Sequence, residues 1–229
     1  MAGCCDDNCA VEALQERQRG TLLAVLGINA VMFVVMILAA YAAGSTALLA
    51  DSLDNLGDAL TYGLSLLVVS GTALMKARVA LFKGVLIAVA TLLLAGQIVY
   101  RLLVPAIPVF ELMGVFSVIA LVGNGCCLAL LWRHREEDIN MSSVWECSRN
   151  DIAGNLSVFL AAGLVWLTAS GWPDLIVATG LMVLLLRSAV RVVSSARTEI
   201  ASERSAMETT SDGDGIVMEY QPMKPAKPT

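Results

Sequence analysis

Three aspartates, Asp51, Asp54 and Asp58, lie within one otherwise apolar stretch, residues 47–69, which is long enough to cross a lipid bilayer. Inserting an aspartate at the centre of a membrane helix costs about 3 kcal/mol, so three cost about 9 kcal/mol unless partners or water stabilise them. Such a segment is tolerated where other helices surround its carboxylates. The sequence therefore predicts a helical membrane protein with a cation site in its interior.

The composition supports a membrane location. Hydrophobic residues make up 57% of the chain, charged residues 15%, and the mean hydropathy is +0.74. Apolar runs of about 20 residues, the length that spans a bilayer, recur at 20–43, 46–72, 77–104, 109–132, 144–170 and 173–193. These runs predict an all-α integral membrane protein with a bundle of six transmembrane helices. A cleaved signal peptide is the alternative for the first run, although that run is longer than the apolar part of a signal peptide.

The expected organisation has three parts. Residues 1–19 are a cytosolic segment that contains cysteines, residues 20–198 are the six-helix transmembrane domain, and residues 199–229 are a disordered cytosolic tail that is polar and rich in proline at its end.

Lysine and arginine predict the orientation, because they are enriched in the cytosolic flanks of membrane helices. In a six-crossing arrangement all 15 of them except Arg101 lie on one side. Lys76, Arg78 and Lys83 are assigned to the connection between the second and third helices. We therefore expect both termini in the cytosol and a multi-pass protein of the cell (inner) membrane.

Polar residues of the second helix share one face. At about 100° per residue, Asp51, Asp54, Asn55 and Asp58 fall within one wedge of about 100°. Asp54 and Asp58 are four residues apart, so their carboxylates can converge on one ion. Without a cation these groups repel each other, and protons compete with metal for them. Asp51 suits a water-facing role or a hydrogen bond to a neighbouring helix as well as direct ligation.

The fifth helix carries a matching set. Cys147, Asn150 and Asp151 share one face, and Asn155 lies one turn further along. Cys147 and Asp151 are again four residues apart. The amide oxygen of Asn150 or Asn155 is a further candidate ligand, as is that of Asn55 on the second helix.

The N-terminal segment holds Cys4, Cys5 and Cys9 around two aspartates. Thiolates suit a borderline or soft cation such as Zn²⁺ or Cd²⁺, so this segment is a candidate for metal capture. A disordered terminus that carries thiols with no metal role explains the cysteines equally well. The adjacent pair Cys126 and Cys127 is assigned to helix packing.

The segment from Gly44 to Asp58 resembles helix two of the cation diffusion facilitators, which are divalent-metal/proton antiporters, and the resemblance continues over the six helices to residues 172–174. In that family a His or Asp followed four residues later by Asp on helix two joins a similar pair on helix five. The resemblance implies a transport site of Asp54, Asp58, Cys147 and Asp151. It also implies Zn²⁺ or a similar divalent cation as transported substrate, protons as the coupled ion, no permanently bound cofactor, and a homodimer as a candidate assembly.

Three departures from the family pattern affect this expectation. Cys147 stands where His or Asp is usual, which makes the ligand set softer and favours Zn²⁺ or Cd²⁺ over Mn²⁺. Family members commonly carry a cytosolic domain after helix six, so a truncated member is expected. The connection between helices four and five is not rich in histidine, and His134 is interpreted as a solvated loop residue.

Other functions are less well supported. The net charge of −5 and the absence of a basic patch argue against nucleic acid. A proton-coupled carrier of a small organic cation and an intramembrane metal sensor are the alternatives. We expect no enzyme, because the sequence has no His cluster and no His-Glu-x-x-His motif to activate a metal-bound water.

Overall fold

Six α-helices make up the part of the chain that the computed structural model describes, which is residues 8–68, 72–132 and 139–213, without the side chains of 8–19, 22, 65, 139–150 and 206–213. In chain order they are α1 (Asn8–Ala43), α2 (Thr46–Val68), α3 (Ala73–Leu103), α4 (Phe110–Trp132), α5 (Ile139–Thr168) and α6 (Trp172–Gly213). The described residues contain no strand. The predicted all-α class is confirmed.

Several helices are longer than their apolar runs. α1 begins at Asn8, α5 begins at Ile139, and α6 continues to Gly213. Residues 199–213 are therefore helical, although the sequence predicted disorder there; residues 214–229 lie outside the described part. The extension of α1 is rich in Glu, Arg, Ala and Gln, and that of α6 contains Glu, Arg and Ala, all strong helix formers, so polar turns continue these helices past the hydrocarbon region.

The start of α3 corrects one assignment. Thr72 caps the helix, since its hydroxyl accepts a 3.3 Å hydrogen bond from the backbone N–H of Met75. Lys76, Arg78 and Lys83, which were assigned to the connection before this helix, therefore lie inside it. Lys83 is far enough along α3 to reach the interior of the bundle.

The distribution of apolar side chains is that of a membrane protein. Five helices of the described chain are long and apolar enough to cross a membrane, and the other is α2, which carries the three aspartates. Large apolar residues such as Leu38, Leu93 and Leu103 point outward and are 65–77% exposed. Many interior positions hold small residues, which allow helices to approach closely. The chain is a helical membrane bundle.

Helix α2 lies in the interior of the bundle, in contact with α1, α3, α5 and α6. The other main contacts pair α3 with α6 and α4 with α5. The first turns of α2 pack into the main core through Ala47, Leu48 and Ala50. Because helices surround α2, its carboxylates are shielded from lipid, as the sequence required.

Two glycines permit close packing of neighbouring helices. A Cβ on Gly84 of α3 would lie 2.8 Å from Cγ2 of Val193 on α6. A Cβ on Gly123 of α4 would lie 3.1 Å from Sδ of Met32 on α1. Gly84 therefore brings the middle of α3 against α6, and with it the neighbouring Lys83.

Candidate metal site

The carboxyl groups of α2 and α5 meet in the bundle. Asp151 of α5 lies within hydrogen-bonding range of both Asp54 and Asp58 of α2. All three side chains are half-buried, so they are enclosed by protein but not sealed. Carboxyl oxygens from two helices thus converge on one region. They belong to three of the four predicted ligands, Asp54, Asp58 and Asp151.

A second group of polar atoms lies beside these carboxyl groups. Asp51, Asn55 and Asn155 are buried. Oδ2 of Asp51, Oδ1 of Asn55 and both polar atoms of the Asn155 amide have no hydrogen-bond partner. Asn55 uses its amide nitrogen to donate a 2.9 Å bond to the backbone oxygen of Asp51. Oxygen atoms therefore remain available for an ion or water.

Polar residues of α2 and α5 form two layers along the bundle. Consecutive membrane-crossing helices alternate in direction, so α2 and α5 run antiparallel. Asn155 lies one turn after Asp151 on the same face of α5, which places it level with Asp51, one turn before Asp54–Asp58 on α2. Asn55 directly follows Asp54 and lies at the level of Asp54–Asp58. We call Asp54, Asp58 and Asp151 the carboxyl cluster, and Asp51 and Asn155 the outer layer.

Several predicted ligands cannot be placed. Cys147 and Asn150 belong to α5 and Cys9 belongs to α1, but their side chains are outside the described part, and Cys4 and Cys5 lie outside it altogether. The interpretation of His134 as a loop residue also falls outside the described residues. Among the described side chains, no group of three or more His, Cys, Asp or Glu residues forms a ready-made metal cage. Asp151 interacts with Asp54 and with Asp58, and a complete coordination shell for a metal ion needs further donors.

Lys83 of α3 was missed as a member of this region. Its Nζ donates a 2.9 Å hydrogen bond to Oγ1 of Thr61 on α2, and its ammonium group interacts electrostatically with Asp58. The residue is 7% exposed. The signal available in the sequence was a lysine within an apolar run long enough to cross the bilayer.

Tyr62 and Cys127 border the cluster on the side away from the outer layer. Both lie close enough to Asp58 and Asp151 to interact with them electrostatically. Cys127 is buried against Val25, Tyr62 and Leu131, which confirms that it packs between helices, whereas Cys126 is exposed. This apolar group closes the region between α1, α2 and α4.

Asp174, at the start of α6, holds the start of α2. Its carboxylate accepts hydrogen bonds from Oγ of Ser45 at 2.6 Å, from the N–H of Thr46 at 2.8 Å and from the N–H of Ala47 at 3.0 Å. The two N–H groups are donors that a helix leaves unpaired at its N-terminus, where negative charge is also favoured. Asp174 therefore fixes the position of α2, and with it the aspartates.

A comparison with known protein families shows which family the chain belongs to. The profile described as the cation efflux transmembrane domain matches residues 22–201, a range that includes most of all six helices and both layers of polar residues. The chain belongs to the cation efflux family. The resemblance to cation diffusion facilitators is thereby confirmed. No curated protein matches the sequence significantly.

Membership of the cation efflux family gives the general function of the chain. Proteins of the cation efflux family are transporters and not enzymes, and their substrates are divalent cations. This chain is accordingly a multi-pass membrane protein that transports metal cations.

Proposed function

We propose that this cation efflux protein exports Zn²⁺, or the similar ions Cd²⁺ and Co²⁺, from the cytosol in exchange for protons. The observation that carries the proposal is the meeting of Asp54 and Asp58 of α2 with Asp151 of α5. Three carboxyl groups this close repel one another when ionised, so they favour either protons or a cation between them. Cys147, one turn before Asp151, is the proposed fourth ligand.

The proposed cycle follows from this competition. A metal ion enters from the cytosol, with the N-terminal cysteines as a candidate capture segment, and displaces protons from the carboxyl cluster. Rocking of the helices then exposes the site to the other side of the membrane. Protons from outside release the ion and return with the carrier, so a pH gradient drives export. Both termini face the cytosol in this scheme, and the protein resides in the inner membrane, where a homodimer is the candidate assembly.

The test is metal flux into proteoliposomes under an imposed pH gradient, measured for Zn²⁺, Cd²⁺, Co²⁺ and Mn²⁺. The Asp54→Asn/Asp58→Asn protein is expected to lose the gradient-dependent flux because it lacks two of the three carboxylates. Glu111→Gln is the matched control, since Glu111 is an exposed carboxylate in the first turn of α4. Its flux should equal that of the wild type.

Two results would contradict the proposal. Full flux in the doubly substituted protein would remove the carboxyl cluster from the transport path. No gradient-dependent flux of any metal in the wild type would favour a small organic cation as the substrate, or a role as a sensor.

A further inference from the structure

We propose that Lys83 is a tethered counter-ion of the transport site: its ammonium group pairs with Asp58 when no metal is bound, and it weakens metal binding so that the ion can be released. This inference rests on the proposed function, because it takes the carboxyl cluster as the place where the metal binds. It adds a residue of α3 that sets the affinity of the site.

The burial of Lys83 is the first observation. It is the one lysine or arginine that is buried among the residues whose side chains the structure describes. An ammonium group inside a membrane bundle is costly without an opposite charge, and such residues pair with carboxylates. Asp58 supplies that charge, and the two groups attract each other.

The orientation of Lys83 is the second observation. A lysine near a helix end in a membrane usually extends its ammonium group to the interface. Here Nζ instead donates to Oγ1 of Thr61, whose hydroxyl in turn donates a 2.7 Å bond to the backbone oxygen of Gly57. Thr61 is three residues from Asp58 on α2. The hydroxyl thus holds the ammonium group beside the cluster.

The packing of α3 makes this position stable. A Cβ on Gly84 would lie 2.8 Å from Val193, so α3 is pressed against α6 next to Lys83. On the other side, a Cβ on Gly57 would lie 3.6 Å from Cδ1 of Ile87, so α2 and α3 are also close. The positive charge is built into the interior and does not depend on a mobile side chain at the surface.

A fixed positive charge next to the site has a definite effect on a divalent ion. Like charges repel strongly at short range where water is scarce, so the ammonium group lowers the affinity for M²⁺. It also stabilises the empty site, because Asp58 has a partner without the metal. Both effects oppose tight binding, and a carrier that binds its ion too tightly releases it slowly.

The test measures Zn²⁺ binding to the purified full-length protein by calorimetry at several pH values up to about pH 8, so that competition from protons at the carboxyl cluster is accounted for in each variant. Lys83→Met removes the charge and keeps the side-chain length, and it should bind Zn²⁺ about tenfold more tightly or better. Lys83→Arg keeps the charge and should bind like the wild type. Thr61→Val removes the 2.9 Å hydrogen bond that holds the ammonium group beside the cluster and keeps the charge, so it should tighten Zn²⁺ binding in the same direction as Lys83→Met but by less.

Flux separates this role from a structural one. In proteoliposomes, Lys83→Met should lower both the KM and the maximal rate for Zn²⁺, because tighter binding slows release. A residue that only supports the fold would lower the rate without lowering the KM. If Lys83→Met does not fold, Lys83→Gln, which is also neutral and can still bond to Thr61, is measured in the same way.

The outcomes distinguish the two proposals. Equal or weaker Zn²⁺ binding by Lys83→Met or Lys83→Gln, in a protein whose binding is lost in Asp54→Asn/Asp58→Asn, overturns the role of Lys83 alone. Tighter binding by Lys83→Arg, equal to that of Lys83→Met, also overturns it, because the effect would then not follow charge. Binding that persists in the Asp54→Asn/Asp58→Asn protein refutes the proposed transport site itself.

Discussion

At the scale of single residues, the outer layer is the most unusual feature of the bundle. A buried polar atom with no partner costs about 1–3 kcal/mol, and Asn155 has two such atoms while being fully buried. Groups of this kind persist where a transient partner uses them. Asn155 lies next to the carboxyl cluster, so ions and water that pass the cluster are the available partners for its amide.

Replacing Asn155 tests whether its amide contributes to ion passage or to the stability of the fold. Asn155→Val is expected to leave the thermal unfolding temperature unchanged or higher, because an apolar group replaces unpaired polar atoms of similar size. The flux of Zn²⁺ should fall about tenfold, the effect of losing one good contact to the ion. Ser157→Ala on the same helix, which loses only a 2.6 Å bond to the backbone oxygen of Gly154, is the control. Unchanged flux in Asn155→Val would exclude the outer layer from the ion path.

At the scale of helices, the position of α2 depends on its first turn. Asp174 joins the start of α6 to three donors at the start of α2, and it is 3% exposed. Gly44, at φ 63°, makes the turn that brings α2 back from α1, and its carbonyl oxygen accepts a 3.0 Å bond from Arg101 of α3. The end of α2 that precedes the outer layer is thus bound to three other helices.

Asp174→Asn is expected to destabilise the protein by about 1–3 kcal/mol. The reason is that a neutral amide is a weaker acceptor than a carboxylate and turns one acceptor into a donor facing N–H groups. The measurement is thermal unfolding of the purified protein in detergent. Glu111→Gln, which changes an exposed acid in the first turn of α4, should show no such loss. Equal unfolding temperatures for Asp174→Asn and wild type would mean that the clamp does not contribute to stability.

At the scale of the whole molecule, the sequence predicted the helices well and the contacts between them poorly. Apolar runs and a face of aspartates were enough for an all-α membrane bundle with an acidic interior. The helix ends differed because hydropathy marks the part inside the bilayer, whereas α6 continues as a polar helix to Gly213. Lys83 was missed because periodicity assigns a residue to a face of its own helix and cannot say that Thr61 and Asp58 of another helix lie opposite.

The pairing of α2 with α5 was likewise implied by resemblance and not by spacing. Asp174 illustrates the same limit: in the sequence it is only one residue of a segment that resembles the family, and its three contacts to the start of α2 span more than 120 residues of sequence. Local sequence patterns identify which side chains are able to bind an ion or form hydrogen bonds, and the three-dimensional structure determines which of them meet.

The pH dependence of metal binding tests how the molecule works as a unit. If one or two protons leave the carboxyl cluster when a metal ion binds, each unit of falling pH should weaken Zn²⁺ binding by about ten- to hundredfold, since protons occupy the same oxygens. Calorimetry between about pH 8 and about pH 6 measures this slope, and the slope should be lost in the Asp54→Asn/Asp58→Asn protein. An affinity that does not change with pH would contradict coupling to protons. If the slope is found, metal release and proton uptake on the outer side are a single exchange at the same atoms, so a pH gradient alone is sufficient to give export its direction.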